Sequence, residues 1–317
     1  MNIKWQSLFL VLLILVSLTL TRVGEKGVDF VSGKGENVSS TGYEANLSYN
    51  RTSQTAVSDT VPSLVNKPPE RNWNVLDPRI NAQAVLIQSL DEDFPFLHYR
   101  TYQTWPIASI TKLMTAVVVL ENFGENKKIP ISQTAVLTEG IAGNFQSGEV
   151  YSARDLLKIM LITSSNDAAV AFEEYGGRDK FIRLMNNKAE ELGMKDTIFY
   201  DSSGLSSMNT STANDLLLLT KYIVKEHPEI FNWTRLQNIL VQPLNNDVSK
   251  SLLNIDWFSS DSGFLGGKTG TSPAAKQNLL EIVSMGKYRI VVIALGMDNR
   301  ANEIPALLDW VKRAYTF

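Results

Sequence analysis

The feature that most constrains this chain is a mostly apolar run that follows closely after a serine and a lysine. Ser109 and Lys112 are three residues apart, and the apolar run continues from Leu113 to Leu120. It is apolar on most faces, which is typical of a helix buried in the core of a domain. Side chains at this spacing share one helix face, so the Lys112 amine can lie beside the Ser109 hydroxyl. A serine beside a base at a helix N-terminus is the arrangement that activates a nucleophile.

The Ser-x-x-Lys spacing alone is a weak signal, because a chain of this length contains it about once by chance. Ser284 and Lys287 have the same spacing, but Gly286 lies between two apolar runs there, which predicts a hairpin turn. Taken alone, the pair at Ser109 and Lys112 is more often structural than catalytic. Other parts of the sequence must decide between the two interpretations.

Composition restricts the choice of base. The 317 residues include no Cys and two His, which excludes a Cys nucleophile, a disulfide framework and a Cys-ligated zinc site, and nearly excludes a zinc site built on His. A formal net charge of −3 gives no electrostatic reason to expect nucleic acid as a partner. His98 lies in an aromatic segment and His227 precedes Pro228 at a predicted helix end. Lysine is therefore the leading candidate for the base of a serine nucleophile.

The N-terminus is typical of an export signal. Lys4 precedes a dense apolar run at residues 8–20, which is shorter than the ~20 residues that span a bilayer. No Ala-x-Ala cleavage pattern follows, and the stretch from Trp5 to Val23 nearly reaches spanning length. Residues 1–23 are predicted to be a signal peptide or, slightly favoured, an uncleaved membrane anchor. Either interpretation places the protein outside the cytoplasm.

Residues 24–72 are rich in Gly, Ser, Thr and Asn and contain little apolar surface. Such a segment cannot offset the entropy lost on ordering, so we expect a disordered linker. A flexible coil of roughly fifty residues has an r.m.s. span of about 40 Å, enough to hold a domain away from a membrane surface. The folded domain is predicted to comprise residues 73–317.

A small polar insert at residues 163–167 lies between two predicted apolar helices, the second running from Ala168 to Tyr175. Such a loop can present a hydroxyl and an amide to a cleft. The simpler interpretation is that Ser165, Asn166 or Asp167 caps the second helix. The sequence of the insert alone favours capping.

A glycine-rich run, Gly266-Gly267-Lys268-Thr269-Gly270-Thr271-Ser272, precedes strand candidates at 278–283 and 288–295. A phosphate-binding loop is disfavoured, because its first glycine would fall on Ser262 and strands follow where a helix is required. A Lys-Thr-Gly run on a strand edge suits the binding of a carboxylate by a cation and hydroxyls. A glycine-rich hairpin without a ligand is a comparable alternative.

Together the three segments resemble the penicillin-binding serine D,D-peptidases, in which Ser109-x-x-Lys112, Ser164-x-Asn166 and Lys268-Thr269-Gly270 would be the motifs, in that order. Their surroundings resemble the low-molecular-mass D-alanyl-D-alanine carboxypeptidases at 106–112, 164–168, 193–197 and 203–205. The resemblance covers about residues 74–317. The three motifs in this order identify the family far more specifically than any one of them does.

The resemblance implies an α/β (α+β) fold of the β-lactamase/transpeptidase type. In it, an antiparallel sheet is flanked by helices, and a mainly helical lobe completes the site. Ser109 would attack the D-Ala-D-Ala peptide bond, Lys112 would take its proton and Ser164 would relay a proton to the leaving D-Ala. The implied substrate-binding residues are Asn166, Lys268, Thr269, Gly270 and Thr271, and the backbone N–H groups of Ser109 and Thr271 would form the oxyanion hole.

The resemblance also implies partners and an electrostatic requirement. The substrate would be a peptidoglycan stem peptide, β-lactam antibiotics would be covalent inhibitors, and no metal or cofactor is needed. Lys112 must be neutral to act as a base, and we expect burial and the nearby Lys268 to lower its pKa.

Two departures from the family pattern matter. Gly266-Gly267 stands where relatives usually carry an Asp-Gly pair and a hydrophobic residue, so we expect a wider edge of the site. The predicted helix 305–315 is followed directly by Phe317, where many relatives continue into a β-rich domain and an amphipathic anchor. If the protein is held at a membrane, we expect its N-terminus to hold it there. We assign no chemistry to the loop 201–205.

Three rival functions remain open. A D,D-endopeptidase shares the whole fold and cleaves cross-links, and a class A β-lactamase shares the motifs. A non-catalytic wall-binding protein would keep the fold without turnover. Residues 192–225 contain no Glu, although class A β-lactamases place a deacylating Glu downstream of the second motif. This favours a peptidase over a β-lactamase.

Overall fold

The computed structural model of the protein describes residues 68–140 and 142–317. The chain divides into two units, residues 1–63 and residues 64–317, and the described residues belong to the second. The predicted signal or anchor and most of the predicted linker lie outside the described residues. Within the described ranges, every helix is too short or too polar to cross a bilayer.

The described residues form short and long strands that all pair antiparallel. They are β1 Glu70–Arg71, β2 Ala84–Ser89, β3 Pro95–Tyr99, β4 Trp105–Pro106, β5 Lys128–Pro130, β6 Val150–Ser152, β7 Thr210–Ser211, β8 Asn238–Val241, β9 Lys250–Leu253, β10 Phe264–Ser272, β11 Lys276–Met285, β12 Tyr288–Met297 and β13 Tyr315–Thr316.

The helices of the same part of the chain are α1 Thr111–Asn122, α2 Gln133–Val136, α3 Ala153–Ile162, α4 Asn166–Gly176, α5 Arg178–Glu191, α6 Ala213–Glu226, α7 Glu229–Thr234 and α8 Arg300–Ala314. A 3-10 turn, Ala108–Ile110, leads directly into α1, and a second, Trp257–Ser260, precedes β10.

The main sheet has five strands in the order β10-β11-β12-β2-β3. Met285 pairs with Tyr288 across the turn that contains Gly286, so the predicted hairpin between β11 and β12 is confirmed. Ser284 and Lys287 therefore belong to a hairpin and not to a helix start. The Lys-Thr-Gly run lies on β10, at an edge of the sheet, as the sequence predicts.

Each face of this sheet packs against a different set of helices. Leu280, on one face, belongs to a core shared with α1, α3, α4 and α6. Its neighbour Leu279 faces the opposite way, into a smaller core formed with α8. Residues that alternate along a strand point to opposite faces, which explains why β11 contributes to both cores. The expected α/β (α+β) fold, with helices on both sides of an antiparallel sheet, is confirmed.

Helix α1 is buried all round, as its apolar sequence predicts. Its first nine residues, 111–119, are buried, and they include three polar residues, Thr111, Lys112 and Thr115. A helix packed on every side is held rigidly, because interiors are close-packed and allow little displacement. Lys112 is therefore delivered to a fixed position in the interior.

Several boundaries differ from those expected. Glu70 and Arg71, assigned by composition to the linker, form β1 and pair with β13 at the end of the chain. Helix α4 begins at Asn166 and not at Ala168, with Ser165 as its N-cap. Helix α8 begins at Arg300, five residues before Pro305, because Asn299 caps it by accepting a hydrogen bond from Asn302 N. Proline tends to mark a helix start. Pro305 instead lies inside the helix, where it has no backbone N–H to donate to the residue four positions earlier.

Candidate active site

Ser109 lies in the 3-10 turn that enters α1, and Lys112 lies in the first turn of the helix itself. The Lys112 Nζ atom is 2.9 Å from Ser109 Oγ. The contact follows from the local geometry, because residues three apart in a helical turn lie on one face. The predicted pairing of this serine with this lysine is confirmed.

Lys112 Nζ has two further oxygen neighbours. It donates to Asn166 Oδ1 at 2.7 Å and to the backbone carbonyl oxygen of Ser203. Carbonyl oxygens only accept hydrogen bonds, so each of these contacts requires an N–H from the amine. A neutral amine has two N–H groups and one lone pair, and both N–H groups are thereby used. The lone pair is left for the Ser109 hydroxyl.

The orientation of the Asn166 amide is set by a second contact. Asn166 Nδ2 donates to the carbonyl oxygen of Glu139 at 2.8 Å. Because an amide nitrogen cannot accept that bond, Oδ1 must face Lys112. Asn166 also lies in the first turn of α4, which Ser165 caps by accepting from Ala168 N at 3.0 Å. The capping interpretation of the polar insert is therefore correct, and the insert also presents an amide to Lys112.

Ser164 connects this group to β10. It has a φ of +57°, in the left-handed region that non-glycine residues rarely adopt. Its Oγ accepts a hydrogen bond of 2.9 Å from Lys268 Nζ. Lys268 also donates to the carbonyl oxygen of Thr269 at 2.8 Å. A strained backbone that places a side chain against a buried cation is common at functional sites.

Both lysines are buried, at 0% exposed for Lys112 and 2% for Lys268. Burial lowers the pKa of Lys112 well below its usual value, and the positive charge of Lys268 lowers it further, against the opposing effect of Asp201 and Asp167. Burial also lowers the pKa of Lys268 to about 7. Asp256 opposes that shift and Arg300 adds to it. The expected causes of the low Lys112 pKa, burial and Lys268, are both present.

Strand β10 approaches the Ser109 backbone very closely at Gly270. A Cβ atom at position 270 would stand 2.6 Å from the Ile107 carbonyl oxygen and 3.3 Å from Ser109 N. Any larger residue would push the strand away from the 3-10 turn. The backbone of β10 after Lys268 and the backbone N–H of Ser109 therefore lie along the same edge of the site.

Arg300 is a site residue that the sequence analysis missed. Its Nη1 donates to Thr271 Oγ1 at 2.8 Å and to the Gly270 carbonyl oxygen at 3.4 Å. It is the first residue of α8, and its own backbone N–H donates to Gln277 Oε1 at 3.0 Å. A guanidinium beside an exposed threonine at the end of the Lys-Thr-Gly run adds positive charge to that edge. No motif in the sequence links Arg300 to β10.

The loop 201–206 was also missed. Its chemistry lies in the main chain, since the Ser203 carbonyl contacts Lys112 and the Ser202 carbonyl accepts from Thr115 Oγ1 at 2.6 Å. The expectation that this loop has no part in the site is wrong. The short Ser-Gly sequence indicated a turn, but nothing local shows which side chain its carbonyl oxygens will meet.

The two glycines before Lys268 do not widen the site as expected. A Cβ atom at Gly266 would stand 2.7 Å from the Cβ of Phe231, and one at Gly267 would stand 2.6 Å from the Leu280 carbonyl oxygen. A Cβ at Gly267 would also lie 2.8 Å from Glu281 Cγ. Neighbouring residues therefore fill the space that the missing side chains leave.

The structure brings the predicted residues into one group. Two hydrogen-bonded sets link five of them, one formed by Ser109, Lys112 and Asn166 and the other by Ser164 and Lys268. The two sets are close enough for the charge of Lys268 to act on Lys112. Thr269, Gly270 and Thr271 continue along β10 towards Arg300. Within the described ranges, no group of three or more His, Asp or Glu side chains could hold a metal ion.

Comparison with known proteins identifies the family. The model of the peptidase S11 family, described as D-alanyl-D-alanine carboxypeptidase, matches residues 75–299. The D-alanyl-D-alanine endopeptidase of Pseudomonas aeruginosa is 40% identical over 136 residues, which are 41% of this chain and 43% of that protein. The D-alanyl-D-alanine carboxypeptidase DacD of Escherichia coli is 30% identical over 226 residues, 66% of this chain and 57% of that protein.

Solved structures agree. The D-alanyl-D-alanine carboxypeptidase of Mycobacterium tuberculosis superposes with a TM-score of 0.70 at 25% identity, over 77% of this chain and 96% of that one. The chain spans about half the length of the curated relatives it matches, 43% and 57% of the two proteins named above. The family match covers most of the folded residues and all three motifs, and the chain belongs to the D-alanyl-D-alanine carboxypeptidase family of serine peptidases.

Proposed function

We propose that the protein is a serine-type D-alanyl-D-alanine carboxypeptidase that acts on peptidoglycan stem peptides through an acyl-enzyme on Ser109. The observation that carries the proposal is the set of three oxygen neighbours around Lys112 Nζ. Two carbonyl oxygens take both N–H groups of the neutral amine, and its lone pair is left for the Ser109 hydroxyl. An activated nucleophile needs this arrangement of base and hydroxyl.

Acylation starts when Lys112 accepts the Ser109 proton and Ser109 Oγ bonds to the carbonyl carbon between the two D-Ala residues. The C–N bond then breaks, and the Ser164 hydroxyl donates its proton to the leaving nitrogen. Ser164 is reprotonated by the proton that Lys112 took from Ser109, so Lys112 returns to its neutral form. In deacylation, water replaces the leaving amine as the second reactant. Lys112 accepts a proton from the water as its oxygen bonds to the acyl carbon. The ester C–O bond then breaks, and Lys112 returns the proton to Ser109 Oγ, which releases the shortened peptide as a free acid and restores the neutral amine.

The substrate carboxylate is assigned to the edge of β10. Lys268, Thr269 and Thr271 offer a cation and two hydroxyls there, and Arg300 adds a second cation beside Thr271 Oγ1. Charge-assisted bonds of this kind are roughly twice as strong as neutral ones. Asn166 is assigned to the substrate backbone. The backbone N–H groups of Ser109 and Thr271 are assigned to the oxyanion, at a few kcal/mol per donor.

A D,D-endopeptidase is the second candidate function, because the endopeptidase relative is 40% identical over its matched part and the carboxypeptidase relative 30% over a longer one. An endopeptidase would cleave a peptide cross-link instead of releasing terminal D-Ala. Purified muropeptides separate the two functions. Free D-Ala from pentapeptide monomers supports the carboxypeptidase, and conversion of cross-linked dimers to monomers without D-Ala release supports the endopeptidase.

The location proposed for the protein is the outer side of the cytoplasmic membrane, held there by residues 1–23, or the medium if that segment is cleaved. The basis is the apolar run at residues 8–20 and the linker composition that follows it. Membrane fractionation with and without residues 1–23 tests the anchor. Loss of membrane association on removing them is expected, and unchanged association would contradict it.

Intact-mass spectrometry after incubation with benzylpenicillin tests the catalytic assignment. The expected result is one covalent adduct on the wild-type protein, none on Ser109→Ala and one on Ser284→Ala. Ser284 is a suitable control because it has the same Ser-x-x-Lys spacing but lies on the β11 to β12 hairpin. An adduct that survives Ser109→Ala would overturn the proposal.

A further inference from the structure

One carboxylate, that of Asp201, holds the whole loop 201–206 in shape. Its Oδ1 accepts hydrogen bonds from Ser203 N at 2.8 Å, Ser203 Oγ at 3.0 Å and Gly204 N at 2.6 Å. Its Oδ2 accepts from Ser206 N at 2.7 Å. Asn209 Nδ2 adds a longer bond of 3.2 Å to Oδ1. The loop is therefore folded around one carboxylate, whose two oxygens accept hydrogen bonds from the N–H and hydroxyl groups of the loop.

This wrapping decides where the carbonyl oxygens of the loop point. The N–H groups of Ser203 and Gly204 turn inward to Asp201, and the Ser202 and Ser203 carbonyl oxygens turn outward to α1. Ser202 is fixed further, because its N–H donates to Glu173 Oε2 at 3.0 Å. The Ser203 carbonyl oxygen thus contacts Lys112 because the hydrogen bonds to Asp201 fix the conformation of the loop.

We propose that Asp201 is a positioning residue for Lys112, which it serves by holding the Ser203 carbonyl as a permanent acceptor for one N–H of the amine. With that N–H occupied and the other donated to Asn166, the lone pair has one direction left, towards Ser109 Oγ. Without Asp201 the loop loses its organising acceptor, and the amine can rotate away from Ser109. A base misplaced by about 1 Å can lose as much as two orders of magnitude in rate.

Asp201 also acts on Lys112 through charge. The charged groups that face Lys112 are Lys268 on β10, Asp167 on α4 and Asp201 on the loop, and the two acids raise the pKa that burial and Lys268 lower. Removing the negative charge of Asp201 lowers the Lys112 pKa further. Lys112 must be neutral to accept a proton, so the acylation rate falls at low pH, where the amine is protonated. This fall, the acid limb of the pH profile, then moves to lower pH. The weaker base also lowers the plateau rate.

The test measures the second-order rate of acylation by benzylpenicillin against pH, together with thermal unfolding, on the full chain. Asp201→Asn keeps one carbonyl oxygen as acceptor but removes the charge. We expect an acid limb at lower pH and a plateau rate lower by about tenfold. An acid limb that stays at the wild-type pH would overturn the inference.

Asp215→Asn is the matched control. Asp215 is another mostly buried carboxylate that ties down a loop, since its Oδ2 accepts from Asp196 N and Thr197 Oγ1, both at 2.8 Å. It is not among the charged groups that act on Lys112. We expect this variant to unfold at a lower temperature with the acid limb unchanged. An equal shift of the limb in Asp215→Asn would also overturn the inference.

A second variant keeps the inference testable if Asp201→Asn does not fold. Thr115→Val removes the hydrogen bond from α1 to the Ser202 carbonyl at nearly constant volume and leaves every charge in place. The expected result is a plateau rate lower by several-fold with the acid limb at the wild-type pH. An unchanged plateau would contradict the positioning role of the loop.

This inference rests on the proposed function, and the two can fail separately. If the wild-type protein is not acylated by penicillin, the proposed function fails. If the wild type is acylated and Asp201→Asn behaves like it at every pH, only the role of Asp201 fails.

Discussion

Gly204 lies against Ala108 so closely that a Cβ atom at position 204 would stand 2.0 Å from the Ala108 carbonyl oxygen and 2.9 Å from Ser109 N. Ala108 itself has a φ of +48°, so the backbone just before the nucleophile is already strained where this loop meets it. The loop that contacts Lys112 therefore also packs against the turn that carries Ser109.

The first prediction follows from this contact. Gly204→Ala should reduce the free energy of unfolding by about 1–3 kcal/mol, the usual cost of forcing atoms into a packed interior. It should also slow acylation, because relief of the clash moves the turn that carries Ser109. Denaturant unfolding and the rate of penicillin labelling measure the two effects.

Gly148→Ala is the control for that prediction. Gly148 has a φ of +89°, against +86° for Gly204, but nothing lies within 4 Å of a Cβ built there. It carries the same backbone strain without the clash. Equal effects of the two substitutions on labelling would show that the contact with Ala108 does not matter.

The second prediction concerns pH. Lys268 must be charged to bind the substrate carboxylate, and its pKa is lowered to about 7 by burial. Below that pH the ammonium is present, and above it the neutral amine predominates, so kcat/KM for a peptide ending in D-Ala-D-Ala should fall as pH rises through about 7. The pH profile of the free enzyme shows this as an alkaline limb.

Replacing Lys268 by arginine tests whether the alkaline limb arises from the titration of Lys268. Lys268→Arg keeps its charge at every accessible pH, so its profile should be lower overall but without the alkaline limb. Lys276→Arg is the matched control, because Lys276 follows the same strand in an exposed ion pair with Asp298 at 2.8 Å. A limb that persists in Lys268→Arg would assign it to another group.

The third prediction is a long-lived penicillin adduct. Residues 192–225 contain three carboxylates. Asp215 is engaged by the loop 196–197, Asp201 by its own loop, and Asp196 is exposed. In the penicillin adduct the retained body of the drug shields the acyl carbonyl from the water that Lys112 would activate. Without a second placed base, deacylation loses a factor of about 10²–10⁴. Nitrocefin should give a stoichiometric burst followed by slow hydrolysis over minutes to hours. Sustained turnover of many equivalents per second would instead show a β-lactamase.

The fourth prediction concerns the start of the fold. Arg71 donates to the Val75 carbonyl at 2.8 Å, and its guanidinium lies 5.2 Å from the Trp310 ring and 5.5 Å from the Tyr315 ring. A protein comprising residues 74–317 should therefore be less stable than one comprising 68–317, by about 2 kcal/mol or more. Chemical denaturation measures the difference.

Arg71→Ala in the longer protein should reproduce most of that loss, and Arg79→Ala, at an exposed position, should reproduce little of it. If 74–317 and 68–317 unfold at the same denaturant concentration, β1 contributes nothing to the fold. The expected linker would then extend through Asn72, as the composition suggested.

The parts that the sequence predicts well depend on short distances along the chain. Ser109 meets Lys112 because three residues of helical turn place them on one face, and the β11 to β12 hairpin forms because Gly286 separates two apolar runs. The burial of α1 is visible in a run that is apolar on most faces. The motif order also points to the family, because its three motifs are local patterns.

The remaining parts of the site depend on packing. Lys112 receives its other two partners from 54 and 91 residues away, and Lys268 reaches Ser164 across 104 residues. One of these partners is a backbone carbonyl, which every residue possesses and which leaves no mark in the sequence. The role of Arg300 and the filled space beside Gly266 were missed for the same reason.

The sequence by itself therefore determined the pairing of Ser109 with Lys112, the proposed nucleophile and base, and the position of the Lys-Thr-Gly run on an edge strand. Only the tertiary structure decided which way the base points. The spacing of Ser109 and Lys112 determines their proximity through the geometry of one helical turn. The direction of the lone pair depends on acceptors from α4 and the loop 201–206, and these meet the amine only because the helices and that loop pack around α1.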